Sequence, residues 1–187
     1  MDEQEIIRAK RMELVDDDGN VVISMGSSPE GQGSIRLHAR DGVPRMLLQV
    51  NPDGTACVAM NGGDGALRLL IHTAGDGSPY LVLVDGQGVG RAVLSLTDAG
   101  SPGLHFSDAA GQVRAGIGVT AGDSPCLSFF DTEGNPRIGV GLPRDDSPAM
   151  FFKDQQGNTS AGLDVLGNGS AQLSLAGDSG RSLRIAP

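Results

Sequence analysis

The chain of 187 residues has no tryptophan, one tyrosine and five phenylalanines. Sites that stack sugars or single-stranded nucleic acid draw on several Trp and Tyr rings, so recognition of either by stacking finds little support. Positive charge is short as well: 14 Lys and Arg stand against 23 Asp and Glu, a net charge of -9. A surface of that sign repels phosphate backbones and anionic lipid, so nucleic acid is not expected as a partner. Two cysteines are too few for a disulfide framework. No apolar run approaches the length of a membrane span, so no membrane insertion is expected. Met1-Asp2-Glu3-Gln4-Glu5 has neither the basic nor the apolar region of a secretory signal. The expected location is the cytoplasm, or a particle or the cell exterior reached without a cleaved signal peptide.

Glycine is abundant, with 29 residues, and 10 prolines accompany it. Much of the glycine is periodic. Gly19, Gly42, Gly65, Gly88, Gly111, Gly134, Gly157 and Gly180 stand 23 residues apart without insertion or deletion, the mark of a tandem repeat. Apolar columns keep the same step. Met12, Ile35, Val58, Leu81, Leu104, Leu127, Met150 and Leu173 form one; Leu14, Leu37, Met60, Leu83, Phe106, Phe129, Phe152 and Leu175 form another two places on. After each glycine come Met25, Leu48, Ile71, Leu94, Ile117, Val140 and Leu163, then Val50, Leu96, Val119, Leu142 and Val165. Apolar residues at i and i+2 mean a strand with one buried face, so each repeat holds two short strands.

Asn51-Pro52-Asp53-Gly54, Asp108-Ala109-Ala110-Gly111, Asp131-Thr132-Glu133-Gly134 and Asp154-Gln155-Gln156-Gly157 have the chemistry of a type I turn with a left-handed residue, which closes β-hairpins. At the other junction, Gly77-Ser78-Pro79, Gly100-Ser101-Pro102, Asp123-Ser124-Pro125 and Asp146-Ser147-Pro148 end one strand and let proline begin the next, where its missing N–H costs least. The expected fold is all-β: tandem hairpins in an elongated antiparallel meander. The alternative is a β-solenoid with one 23-residue coil per repeat, which the invariant spacing favours. Residues 1–10 lie outside the period and read as a short helix or terminal cap that could contact another protein; residues 11–187 form a domain of nearly eight repeats.

Such a meander has one oily side that nothing else in the chain can cover, so it must meet copies of itself. The expected assembly is a homotrimer, a triangular β-prism around a dry axis, with Leu83, Leu94, Phe106, Ile117, Phe129, Val140, Phe152 and Leu163 in its core. Gly116, Gly118, Gly139, Gly141 and Gly162 fall between apolar positions of second strands and point to close backbone approach on the opposite face.

The unit Leu104-His105-Phe106-Ser107-Asp108-Ala109-Ala110-Gly111-Gln112-Val113-Arg114, a Leu-x-Leu-x-Asp-x-x-Gly-x-x-Arg pattern with Phe in its third place, resembles tandem repeats of many uncharacterised bacterial proteins. It is also similar in style to β-structured repeats of phage tail fibres. The resemblance covers residues 11–187 and implies architecture, with no activity attached. The early repeats depart from it: Ala39 and Gly62 occupy the Asp column and Val22 the Arg column.

Little else carries chemistry. Arg45, Arg68, Arg91, Arg114 and Arg137 stand three places after the turn glycine, and Asp85, Asp108, Asp131 and Asp154 three places before it, so cross-turn ion pairs are expected rather than an anion-binding stripe. Asp16, Asp17, Asp18, Asp41, Asp64 and Glu133 raise calcium, but no loop has a full ligand series, and aspartate at turns bonds its own backbone. His38, His72 and His105 occupy three different columns and are expected to share no side of the repeat, so neither a metal site nor a catalytic cluster is expected. Gly86-Gln87-Gly88-Val89-Gly90 lacks the helix and lysine of a phosphate loop. Cys57 and Cys126 share a column three repeats apart, roughly 14 Å in a solenoid or 29 Å in a meander, too far for a bridge. No cofactor is expected. The sequence supports a non-enzymatic structural or scaffold protein of fibre type that self-assembles through its apolar face. A binding module for a receptor or surface is the first alternative, and an enzyme the second.

Overall fold

The computed structural model describes residues 7–97, 99–144, 146–176 and 182–185. The chain divides into two compact units, Met1–Gly88 and Val89–Pro187. The first holds β1 (Arg11–Val15), β2 (Val21–Ser27), β3 (Gly33–His38), β4 (Pro44–Val50), β5 (Ala56–Asn61), β6 (Leu67–Thr73) and β7 (Pro79–Val84). The second holds β8 (Gly90–Leu96), β9 (Pro102–Ser107), β10 (Val113–Val119), β11 (Pro125–Phe130), β12 (Pro136–Arg144), β13 (Ser147–Lys153), β14 (Thr159–Val165), β15 (Ala171–Ala176) and β16 (Ser182–Ile185). Within each unit every strand pairs antiparallel with its neighbours in chain order. This is the tandem hairpin meander; a solenoid would stack like strands in parallel, and no parallel pair occurs among the described residues. Nor do they contain a helix long and apolar enough to cross a membrane. Residues 7–10 are irregular, and residues 1–6, the rest of the expected helical cap, lie outside the described residues.

One turn design serves both kinds of junction. At the Asp-x-x-Gly junction the Gly111 N–H donates to the Asp108 carbonyl (3.0 Å) and the Asp108 N–H to the Gln112 carbonyl (2.9 Å). At the Ser-Pro junction the Gly77 N–H donates to the Ala74 carbonyl (2.8 Å) and the Ala74 N–H to the Ser78 carbonyl (2.9 Å). The fourth residue of each turn is left-handed. Gly19 to Gly157 of the first ladder lie at φ from 78° to 85°; Gly180 lies outside the described residues. A second ladder of the same step runs through Gly31, Gly54, Gly77, Gly100 and Gly169, with Asp123 at φ 58° and Asp146 at φ 53° in the two repeats that lack the glycine. Sequence chemistry predicts a hairpin at Gly54 but only strand breaks at the Ser-Pro junctions; the structure makes them equivalent hairpin turns except at Asp146, where Pro143 has no N–H for the second bond and the pairing slips between Gly141 and Arg144.

Elsewhere the two junctions differ in register. On the Asp-x-x-Gly side the pairing slips by one residue. Val113 faces Ser107 and Ala115 faces Phe106, leaving Arg114 as the extra residue of a β-bulge. Arg45 and Arg68 are bulged in the same way, as is Arg137. A bulge re-aims its side chain, and here it sends each arginine toward the end of the next hairpin. Nε of Arg91, Arg114 and Arg137 donates to the carbonyls of Ser107 (2.8 Å), Phe130 (3.0 Å) and Lys153 (2.9 Å). The expected cross-turn ion pairs are also present: Arg114 to Asp108 at 3.3 Å and Arg137 to Asp131 at 3.6 Å. Where Ala39 and Gly62 replace the aspartate, Asp41 and Asp64 next to the turn glycine take over, 2.6 Å from Arg45 and Arg68. The arginine column therefore ties successive hairpins together.

Candidate self-association face

Antiparallel pairing merges the separate columns of the sequence into rows. In the first unit Met12, Met25, Ile35, Leu48, Val58, Ile71 and Leu81 are successive cross-strand partners. In the second, Leu94, Leu104, Ile117, Leu127, Val140, Met150, Leu163, Leu173 and Ile185 are. This central row has an outer row on each side of it on the same face. The bulge-side row runs through Leu14, Ile23, Leu37, Met46, Met60, Leu69 and Leu83 in the first unit. In the second it begins Ala92, Phe106, Ala115, Phe129 and continues through Ile138 and Phe152. The plain-side row lies next to the Ser-Pro junctions and includes Val50, Leu96 and Val119.

This face is not covered. Leu94 is 50% exposed, Ile117 54%, Phe129 42% and Phe152 42%; Leu83, Phe106, Val140 and Leu163 are likewise exposed. Of the eight residues expected to form an assembly core, Leu83 therefore lies on the apolar face of the first unit and the other seven on that of the second. Among the described residues Ala59 is the one buried hydrophobic side chain. The chain exposes 12811 Å², against about 8,400 Å² for a folded monomer of its mass. A half-exposed row of large aliphatic and aromatic side chains across this many strands far exceeds the few hundred Å² of apolar patch that a solitary soluble protein tolerates.

The opposite face is mixed: in the first unit Leu47, Ala59, Leu70 and Val82 are successive cross-strand partners on it, while in the second it is mostly polar or small apart from Val93 and Phe151. Its own side chains account for its glycines. A Cβ on Gly116 would lie 3.0 Å from the His105 ring, and one on Gly139 would run into the Phe151 ring. At Gly118 and Gly141 the obstacle is backbone, the Pro102 and Pro125 carbonyls at 2.6 and 2.5 Å. The close approach expected from these glycines comes from within the chain. Cys57 and Cys126 sit on this face as free thiols, half-buried.

The three histidines, expected to share no side, all belong to this opposite face by register, on β3, β6 and β9. His72 packs on Tyr80 with ring centroids 5.1 Å apart. His38 Nε2 lies 2.9 Å from Ser24 Oγ, and Nδ1 lies 3.1 Å from the Gly42 carbonyl. No sequence signal marks this serine, histidine and carbonyl chain, since its members come from two strands and a turn. Ser24 lies in mid-strand with pairing partners Glu13 and Arg36 on its two sides, so its backbone is committed to ladders rather than aimed at an oxyanion. The arrangement fixes a tautomer and closes a turn.

The turn aspartates bond their own backbone. Asp108 Oδ1 accepts from the N–H groups of Ala110 (3.0 Å) and Gln112 (3.1 Å), and Asp16 and Asp131 repeat the pattern. The Gln112 N–H first, then the Ala110 N–H and Arg114, hold the Asp108 carboxyl below the usual aspartate range. Asp131 and Asp154 are lowered for like reasons, led by the Asn135 N–H and the Asn158 side chain. Among the described residues no group of three His, Cys, Asp or Glu could hold a metal ion.

No family model and no curated protein matches the chain. Among solved structures it is similar to the TCP10 domain of Danio rerio CPAP, in complex with a peptide of STIL: 12% identity over 95% of this chain and 98% of that one, with a TM-score of 0.39. It is also similar to the TCP domain of Drosophila melanogaster SAS-4 (dCPAP), in complex with a proline-rich motif of Ana2: 12% identity over 99% and 95% of the two chains, with a TM-score of 0.43.

Proposed function

We propose that this chain is a non-enzymatic structural protein, of scaffold or fibre type, that buries the apolar face of its repeat sheet against copies of itself, three around a shared dry axis. The observation that carries the reading is the central row, apolar at every strand and uncovered. The nine strands of the second unit, about 20 Å long and spaced about 4.8 Å apart, present roughly 850 Å². That matches the roughly 800 Å² per partner of a stable protein interface. At about 25 cal/mol per Å² its burial is worth on the order of 20 kcal/mol before costs, above the roughly 4 to 15 kcal/mol that association consumes.

Multi-angle light scattering on the purified chain at micromolar concentration tests the reading. The expected mass is three times 19.2 kDa. A mass of 19.2 kDa in a folded sample would overturn it.

A further inference from the structure

The two outer rows of the apolar face differ in size in an ordered way. In the first unit the bulge side is bulky and the plain side small: Leu37 shares β3 with Gly33, Met60 shares β5 with Ala56, and Leu83 shares β7 with Pro79. In the second unit the sense alternates. Strands β9, β11 and β13 pair a bulge-side Phe with a plain-side Pro, as in Phe129 and Pro125. Strands β8, β10 and β14 pair a bulge-side Ala with a plain-side Leu or Val, as in Ala115 and Val119. The strands that break the rule are β4, with Met46 and Val50, and β12, with Ile138 and Leu142.

Apolar faces can be laid together in two ways. A two-fold axis along the strands sets like row on like row; in the first unit that stacks bulk on bulk along one side and leaves gaps along the other. Interiors pack to near-crystalline density, so both faults are costly. A rotation axis along the direction of strand stacking carries the bulge side of each strand onto the plain side of the same strand in the next copy. Leu37 then meets Gly33, Phe129 meets Pro125 and Val119 meets Ala115, large against small in both units.

We infer that copies of this chain associate pointing the same way, each unit against its own counterpart around an axis parallel to that unit's strand-stacking direction, so that strands other than β4 and β12 pack a large end on the small end of their own counterparts. This rests on the self-association proposed above and adds the orientation and register of the copies.

Cysteine pairing tests it. In a Cys57→Ser/Cys126→Ser parent, Ala115→Cys and Val119→Cys lie four residues apart on one strand, about 13 Å, beyond the roughly 7 Å limit for a bridge within the chain. Mild oxidation of the double variant is expected to give chains linked to one another on a non-reducing gel, while neither single variant links. The pair Ala161→Cys/Val165→Cys repeats the measurement in case the first perturbs folding. Linking by Ala115→Cys alone would show like row on like row and overturn the inference. So would the absence of links in both pairs while light scattering still reports an oligomer; that result leaves self-association standing. A monomeric parent overturns both readings.

Discussion

Asp123 occupies a turn position where Gly31, Gly54, Gly77, Gly100 and Gly169 stand in other repeats, and it is held at φ 58°. That region costs an L-residue roughly 1–2 kcal/mol, aspartate less than most, while glycine loses roughly 0.5–1 kcal/mol through its freer unfolded chain. The difference favours glycine by a small margin. Asp123→Gly is expected to raise the unfolding free energy by about 0.5 kcal/mol and Gly100→Asp to lower it by a similar amount, read from urea midpoints; a lowered midpoint for Asp123→Gly would count against the account. This position also shows what a sequence can and cannot reveal. The ladder from Gly19 to Gly180 is unbroken and legible at once. Its twin is interrupted by Asp123 and Asp146, and the adjoining Ser-Pro has the chemistry of a strand break, so the second set of hairpins is hidden. Gly139 reads as a place of close approach, but that Phe151 makes the approach depends on a side-chain direction that spacing does not encode.

The hairpin is where the aspartates act. Asp16, Asp108, Asp131 and Asp154 each accept backbone N–H groups within their own turn, and their carboxyls are held below the usual range by those bonds and by neighbouring side chains. A folded pKa below the unfolded one contributes stability that is complete above the unfolded value, about 3.9, and is lost as pH falls through the folded value. The urea midpoint should thus hold level from pH 7 to about 5 and decline below about 4. Asparagine at 108, 131 and 154 keeps an acceptor without titrating, so the triple Asp→Asn variant should show a shallower acid limb. An equally steep limb in that variant would assign the loss to other groups. The cross-turn pairing of Arg114 with Asp108 is legible from the three-and-three spacing about Gly111. The bulge is not, because a one-residue slip is a property of the pairing; yet the bulge aims Arg114 at the Phe130 carbonyl and joins one hairpin to the next.

For the whole molecule the decisive quantity is the uncovered row. Its existence is legible because apolar columns repeat at a fixed step. That Ile117 lies between Leu104 and Leu127 follows only from antiparallel register, which sets every column of first strands beside a column of second strands. Ile117, 54% exposed in the single chain, occupies the middle of that row, where an assembly would bury it. Lysine there would carry an ammonium into a dry interior, at an effective cost of several kcal/mol, whereas in a lone chain it would simply stand in water. Ile117→Lys is therefore expected to lower the scattered mass and the melting temperature together. The unsubstituted protein should in turn melt higher as its concentration rises, since association stabilises only the folded chain. Ser95→Lys, on the opposite face of β8 by register, supplies the control: it adds the same charge and should leave the mass unchanged. If Ile117→Lys kept both the mass and the melting curve of the unsubstituted chain, the row would have no role in assembly.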